Sequence, residues 1–116
     1  MINLTFGELI RIARLRKKIK VIDLSKILGR EPNYCTRMEL GLIKPHSAQS
    51  IRLLSEALDL DYGYLCALAK VVPDNFEEIY FAYPTQLTKL YSIFEDFDKK
   101  DFEALIPMAE KIVGEK

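Results

Sequence analysis

The chain has 116 residues, 49% of them hydrophobic, and its 17 basic and 17 acidic side chains leave it formally neutral. That length bounds it to one compact domain, or one small domain with an appendage, and a content of only 5 Gly and 5 Pro argues for a folded, soluble core. No apolar run approaches the roughly 18–20 residues of a membrane helix, and the opening MINLTFGELI lacks the charged-then-apolar layout of a signal peptide, which points to the cytosol.

The net charge of zero conceals an asymmetry. Residues 1–70 hold 12 Lys/Arg against 7 Asp/Glu, or +5, and residues 71–116 hold 5 against 10, or −5. Such an offset suggests that the first part meets an anion and the second has another task, although charge is commonly just a solvated face. Cys35 and Cys66 sit among helical apolar residues with no CxxC and one distant histidine, so they read as buried free thiols rather than a zinc site or a disulfide.

Helices are predicted throughout, and strand-like alternation is nowhere sustained. The first opens at TFGE, a Thr-x-x-Glu capping box in which Thr5 accepts from an orphan amide and Glu8 reaches back. Phe6, Ile10 and Ala13 then recur on one side, and the helix runs to about Lys18. Its other side and end carry Arg11, Arg14, Arg16, Lys17 and Lys18, a basic run that suits water or phosphate equally. The second places Leu24, Ile27 and Leu28 inward and stops at Gly29, the residue that best tolerates a left-handed helix end. The third starts at Pro32, favoured at a first helical position, keeps Cys35 and Met38 for the core and stops at Gly41. Ser47 caps a fourth carrying Ile51, Leu54 and Leu58, and DLDYGYLCALA supplies a fifth with Leu65 and Leu68 inward.

Two short helices joined by a glycine turn, the second presenting small polar and cationic side chains, form the pattern of a helix-turn-helix whose second helix enters the DNA major groove. The run FGELIRIARLRKKIKVIDLSKILGREPNYCTRMELGLIKP resembles the lambda-repressor-like, or XRE/Cro, family of helix-turn-helix domains. Leu24, Gly29, Pro32, Tyr34, Arg37, Glu39, Gly41 and Pro45 all stand at that family's usual spacing, and the match covers residues 5–70. The resemblance implies base contacts from Glu31, Asn33, Thr36 and Arg37. Asn can pair with adenine N6 and N7, and Arg with guanine O6 and N7, each good pair contributing roughly 1–3 kcal/mol of discrimination. It implies phosphate contacts from Lys20, Val21, Gly41, Lys44 and His46, which position the protein rather than specify sequence.

The chain also departs from the family. A Ser or Thr followed by Gln often starts the family's second helix, and Lys20 and Val21 stand there instead, so one side-chain phosphate contact is lost. Lys20 opposes the positive end of the helix dipole, although phosphate would offset that in a complex. Glu31 reads either as an N-terminal cap or as a cytosine reader through N4. In the resembling family a first-helix arginine pairs with the glutamate before the final glycine, which implies a structural Arg14–Glu39 ion pair. His46 lacks neighbours at the spacings that signal catalysis or metal binding. No Gly-rich phosphate loop, metal-ligand cluster or nucleophile–base pair is present, so the expectation is a protein that is not an enzyme and needs no cofactor or metal.

Beyond KVVPDN, Phe76, Ile79, Tyr80 and Tyr83 fall at i, i+3, i+4 and i+7, and Leu87, Leu90, Tyr91 and Phe94 repeat that spacing after Pro84. A third C-terminal helix, opened by Asp98 with Asp101 three places on, carries Phe102, Leu105, Ile106, Ala109 and Val113, and Pro107 is predicted to kink it. Eight of the twelve Phe and Tyr residues lie in positions 71–116. They either pack down on the N-terminal domain or bury against a second subunit, with Tyr80, Tyr91, Phe94 and Phe102 as dimerisation anchors. The sequence therefore reads as an all-α protein, with a five-helix lambda-repressor-like helix-turn-helix domain over 1–70 and a small C-terminal helical dimerisation appendage over 73–116. The expected function is a sequence-specific, double-stranded-DNA-binding transcriptional regulator, a homodimeric repressor in the cytoplasm. The alternative is a protein-interaction or antitoxin-like module that keeps the fold and binds a protein partner through its C-terminal helices.

Overall fold

In the computed structural model residues 3–45 and 47–116 are described, and all regular structure among them is helical. The order is α1 (Phe6–Arg16), α2 (Val21–Ile27), α3 (Tyr34–Glu39), α4 (Ala48–Leu58), α5 (Tyr62–Ala69), α6 (Phe76–Ala82), α7 (Pro84–Phe94) and α8 (Lys99–Gly114). No described helix is long and apolar enough to cross a membrane. The chain divides into two compact units, Met1–Phe76 and Glu77–Lys116.

The first unit closes around one apolar core. Phe6, Ile10 and Ala13 from α1 meet Leu24 and Leu28 from α2 and its end, Cys35 and Met38 from α3, Ile51, Leu54 and Leu58 from α4, and Leu65, Cys66 and Ala69 from α5. Both cysteines are free and buried. Two inward assignments differ from the sequence pattern. Ile27 is 46% exposed, whereas Ser25 is fully buried. At 100° per residue, Leu24, Ser25 and Leu28 lie within one arc of α2 and Ile27 falls well outside it, so the inward stripe includes a polar residue. Leu68, predicted inward, is half-buried and packs at the edge of the core.

The ends of α1, α2, α3 and α5 close the same way, the last with Lys70, at φ 59°, donating to the Ala67 carbonyl and Val71 to that of Cys66. After α2, the N–H of Gly29 donates to the carbonyl of Lys26 and the N–H of Arg30 to that of Ser25. After α3, Gly41 donates to Met38 and Leu42 to Arg37. These are Schellman pairs, and the two glycines take the positive φ values, 67° and 80°, that the motif needs. After α1 the same two bonds run from Lys18 to Leu15 and from Ile19 to Arg14, with Lys18 itself at φ 57°. The helix thus ends at Arg16, before the basic run does. At its start Thr5 accepts from the Glu8 N–H, but the Glu8 carboxylate accepts from the Thr5 hydroxyl at 2.9 Å rather than from backbone. Pro32 lies in a turn closed by the Tyr34 N–H on the Glu31 carbonyl at 3.0 Å, and α3 begins two residues later than Pro32, with Asn33 as N-cap.

The first unit continues past residue 70 to Phe76. Asp74 is the tether. Its N–H donates to the Tyr62 hydroxyl at 2.9 Å and its carboxylate accepts from Arg52 Nε at 3.2 Å, while the Arg52 guanidinium lies 4.0 Å from the Tyr62 ring centroid. In the second unit, α8 opens with a reciprocal Asp98–Asp101 capping box and continues as one helix through Pro107. Phe94, Phe97 and Phe102 form a triangle at the α7–α8 corner with ring centroids 5.1–5.2 Å apart, and Tyr91 joins it at 6.0 Å from Phe94. None of α6, α7 or α8 contributes a buried residue.

Candidate nucleic-acid interface

The helix-turn-helix consists of α2, the turn through Gly29 to Asn33, and α3. Ser25 locks its two helices together. The hydroxyl is 3.0 Å from the Val21 carbonyl and 3.3 Å from the Pro32 carbonyl, both within donating range, and it accepts the N–H of Cys35 at 3.1 Å. That last bond satisfies an amide in the first turn of α3, where a helix has no internal partner for it. Burial pushes the Cys35 thiol above its ordinary pKa, so it stays a neutral core group.

A second fixture sets α3 against α1. Arg14 donates to Glu39 through Nε at 2.7 Å and Nη2 at 3.1 Å, and through Nη1 to the Ile19 carbonyl at 2.9 Å. The two side chains are only 11% and 8% exposed, so the pair is structural and unavailable to a ligand. Hydrogen bonding to Glu39 raises the guanidinium pKa further above its ordinary value. Close approach of the same two helices depends on Gly7, where a Cβ would come within 2.5 Å of the Met38 carbonyl oxygen and 2.6 Å of that of Glu39.

With Cys35 and Met38 held inward, the opposite side of α3 faces out. Asn33, Thr36 and Arg37, at i, i+3 and i+4, are all exposed, as is Glu31 in the turn before them. Asn33 makes no side-chain cap bond, so its amide is free to bind. Glu31 does not cap α3; its carboxylate lies 3.6 Å from Arg37 Nη1. Arg30, exposed beside them, places its guanidinium 5.2 Å from the Tyr34 ring centroid.

The expected phosphate contacts divide. Lys20, N-cap of α2, and Lys44, in the loop after α3, are exposed cations. Val21 is half-buried against the core, which leaves its backbone rather than its side chain to face a ligand. The Gly41 N–H is engaged in closing α3, so its contribution is the shape of the loop. His46 lies outside the described residues. Arg11, which the basic run did not single out, lines a concavity of about 340 Å³ with Arg14, Val21, Thr36, Glu39 and Leu40.

Three of the four expected dimerisation anchors, Tyr91, Phe94 and Phe102, meet at the α7–α8 corner. Phe94 and Phe102 pack on each other and are partly spent on the α7–α8 corner, Tyr91 borders them, and Tyr80 pairs with its neighbour Phe81 at 5.6 Å. Apolar surface is left open on all three helices of this unit, at Ile79 and Phe81 on α6, Ile93 on α7 and Ile106, Ile112 and Val113 on α8, and on α8 Ile106, Ala109 and Val113 line one concavity of about 490 Å³. No group of three or more His, Cys, Asp or Glu side chains placed to hold a metal occurs among the described residues.

No family model matches the chain, and no curated protein does. Among solved structures it is similar to a SinR protein/SinI protein complex, with a TM-score of 0.47 and 19% sequence identity over 95% of this chain and 99% of that one.

Proposed function

We propose that this chain is a non-catalytic, sequence-specific double-stranded-DNA-binding regulator of the lambda-repressor-like kind, with α3 as the helix that reads bases. One observation carries the reading: Asn33, Thr36 and Arg37 form an exposed polar row on a short helix whose other side is locked by Cys35, Met38 and the Ser25 hydroxyl. A row held that rigidly presents donors and acceptors in fixed register, as base readout in the major groove requires. Lys20, Lys44 and Arg11 supply exposed positive charge around it for phosphates. Repression by occlusion is the regulatory mode, since DNA binding alone suffices for it.

The second unit serves association. It has 40 residues and no buried side chain, and segments of about that size usually need added burial to be stable. A second copy of the chain meets that need through the α8 face and doubles the number of bases read.

The test contrasts two substitutions on a preferred duplex and on single-base variants of it. Arg37→Ala should cost about 1–3 kcal/mol on the preferred site and relax selectivity at one base position, whereas Lys44→Ala should weaken every duplex alike. If both lower affinity uniformly, Arg37 is a phosphate contact and α3 does not read bases.

The open apolar face of α8 also favours a second reading, an antitoxin-like interaction module in which the affinity resides in the second unit and the partner is a protein. A salt series separates the two. Phosphate-driven binding weakens steeply as salt rises, and an apolar protein interface does not.

A further inference from the structure

The position of Glu31 needs an explanation that neither a cap nor a plain repulsive charge supplies. A lone carboxylate on a DNA-facing surface is disfavoured by phosphates, and the N-cap of α3 is Asn33, not Glu31. Glu31 Oε1 instead faces Nη1 of Arg37 at 3.6 Å, with 65% and 49% of the two side chains exposed. We propose that Glu31 is a positioning residue for Arg37, holding Nη1 so that the Nε–Nη2 edge of the guanidinium is presented to O6 and N7 of a guanine. The proposal rests on the DNA-reading role of α3.

The chemistry of the guanidinium makes the assignment specific. It is a planar fork of five N–H donors, and bidentate pairing with guanine needs two parallel donors from one edge. With Nη1 turned to a carboxylate, the edge left free is the one formed by Nε and Nη2. In water an exposed pair of this kind is weak, so in the free protein it biases the arginine without fixing it. As the helix enters the groove and water leaves, the same attraction strengthens. Pairing also neutralises Glu31 at the moment phosphates approach. Arg37 therefore arrives with part of its rotamer freedom already removed and with one edge selected.

The experiment measures competition binding of the full-length wild type, Glu31→Gln, Arg37→Ala and the double variant on a preferred duplex and on the same duplex with the contacted guanine replaced. A ¹⁵N spectrum of the arginine Nε groups in the free proteins accompanies it. Glu31→Gln should lower the preference for guanine about fivefold to tenfold, inside the range one bidentate pair contributes. Its affinity for unrelated duplexes should hold or rise, because a negative charge has gone. In the Arg37→Ala background the same substitution should leave base preference unchanged, and in the free protein it should shift the Arg37 Nε–H signal.

An unchanged guanine preference in Glu31→Gln, or an unmoved Arg37 signal, overturns the proposal and leaves the DNA-reading role standing. An equal loss of preference in the Arg37→Ala background overturns it too, because Glu31 would then read a base on its own. A wild type that shows no preference among duplexes defeats the DNA-reading role, and the proposal with it.

Discussion

Ser25 joins α2 to α3 through a single oxygen that both donates to a carbonyl of its own neighbourhood and accepts the Cys35 N–H. Replacement by alanine keeps the helix propensity and removes the acceptor, so a buried amide loses its partner. Ser25→Ala should destabilise the protein by about 1–3 kcal/mol, read as a lower urea midpoint with an unchanged slope. A midpoint equal to the wild type would mean that water or a shifted backbone satisfies Cys35. The sequence conceals this residue because a serine in the middle of an apolar stripe carries no periodic signal, and Ile27 next to the stripe mimics what Ser25 displaces. By contrast, the Arg14–Glu39 pair followed from the family resemblance and stands at 2.7 Å. Glu31 lay between: its charge made it conspicuous, while its partner six residues on depends on the turn at Pro32, which the helical reading of that proline hid.

Contact between α1 and α3 sets where the outward row of α3 is held, and it passes through Gly7. A Cβ there meets two backbone carbonyl oxygens that no rotamer change can move. Gly7→Ala should therefore cost about 1–3 kcal/mol of stability, visible in a thermal melt, even though alanine is the better helix former by itself. A rise in the midpoint would show that α3 yields without penalty. Element identity was legible because the apolar residues of α1, α4 and α5 recur at helical spacing, and the ends of α2 and α3 were legible because glycine marks them. The end of α1 was not, since Lys18 adopts a positive φ under the pull of two Schellman bonds rather than by residue preference. The same limit applies to the segment after α5, where Asp74 is bound to Tyr62 and Arg52 by contacts that no local pattern announces.

Across the whole chain, charge and apolar surface are sorted between the two units, basic and well buried in the first, acidic and open in the second. Every residue of the apolar core belongs to Met1–Phe76, so a truncation ending at Phe76 should stay folded. It should sediment as a monomer, while the full chain sediments as a dimer. Ile106→Asp in the full chain should give the same monomer, since it places a charge on the open face of α8. A full chain that is itself monomeric would remove the second unit's proposed role. The aromatic content of that unit was readable in sequence, but its division between an internal corner and an open face was not, because Phe94 and Phe102 meet only once the turn between α7 and α8 is formed. Selection of bound duplexes from a random pool by the full-length protein tests base reading by α3 most directly. A two-fold symmetric winner with half-sites roughly 34 Å apart is the result expected of paired recognition helices. A pool that emerges with no enriched sequence would contradict it.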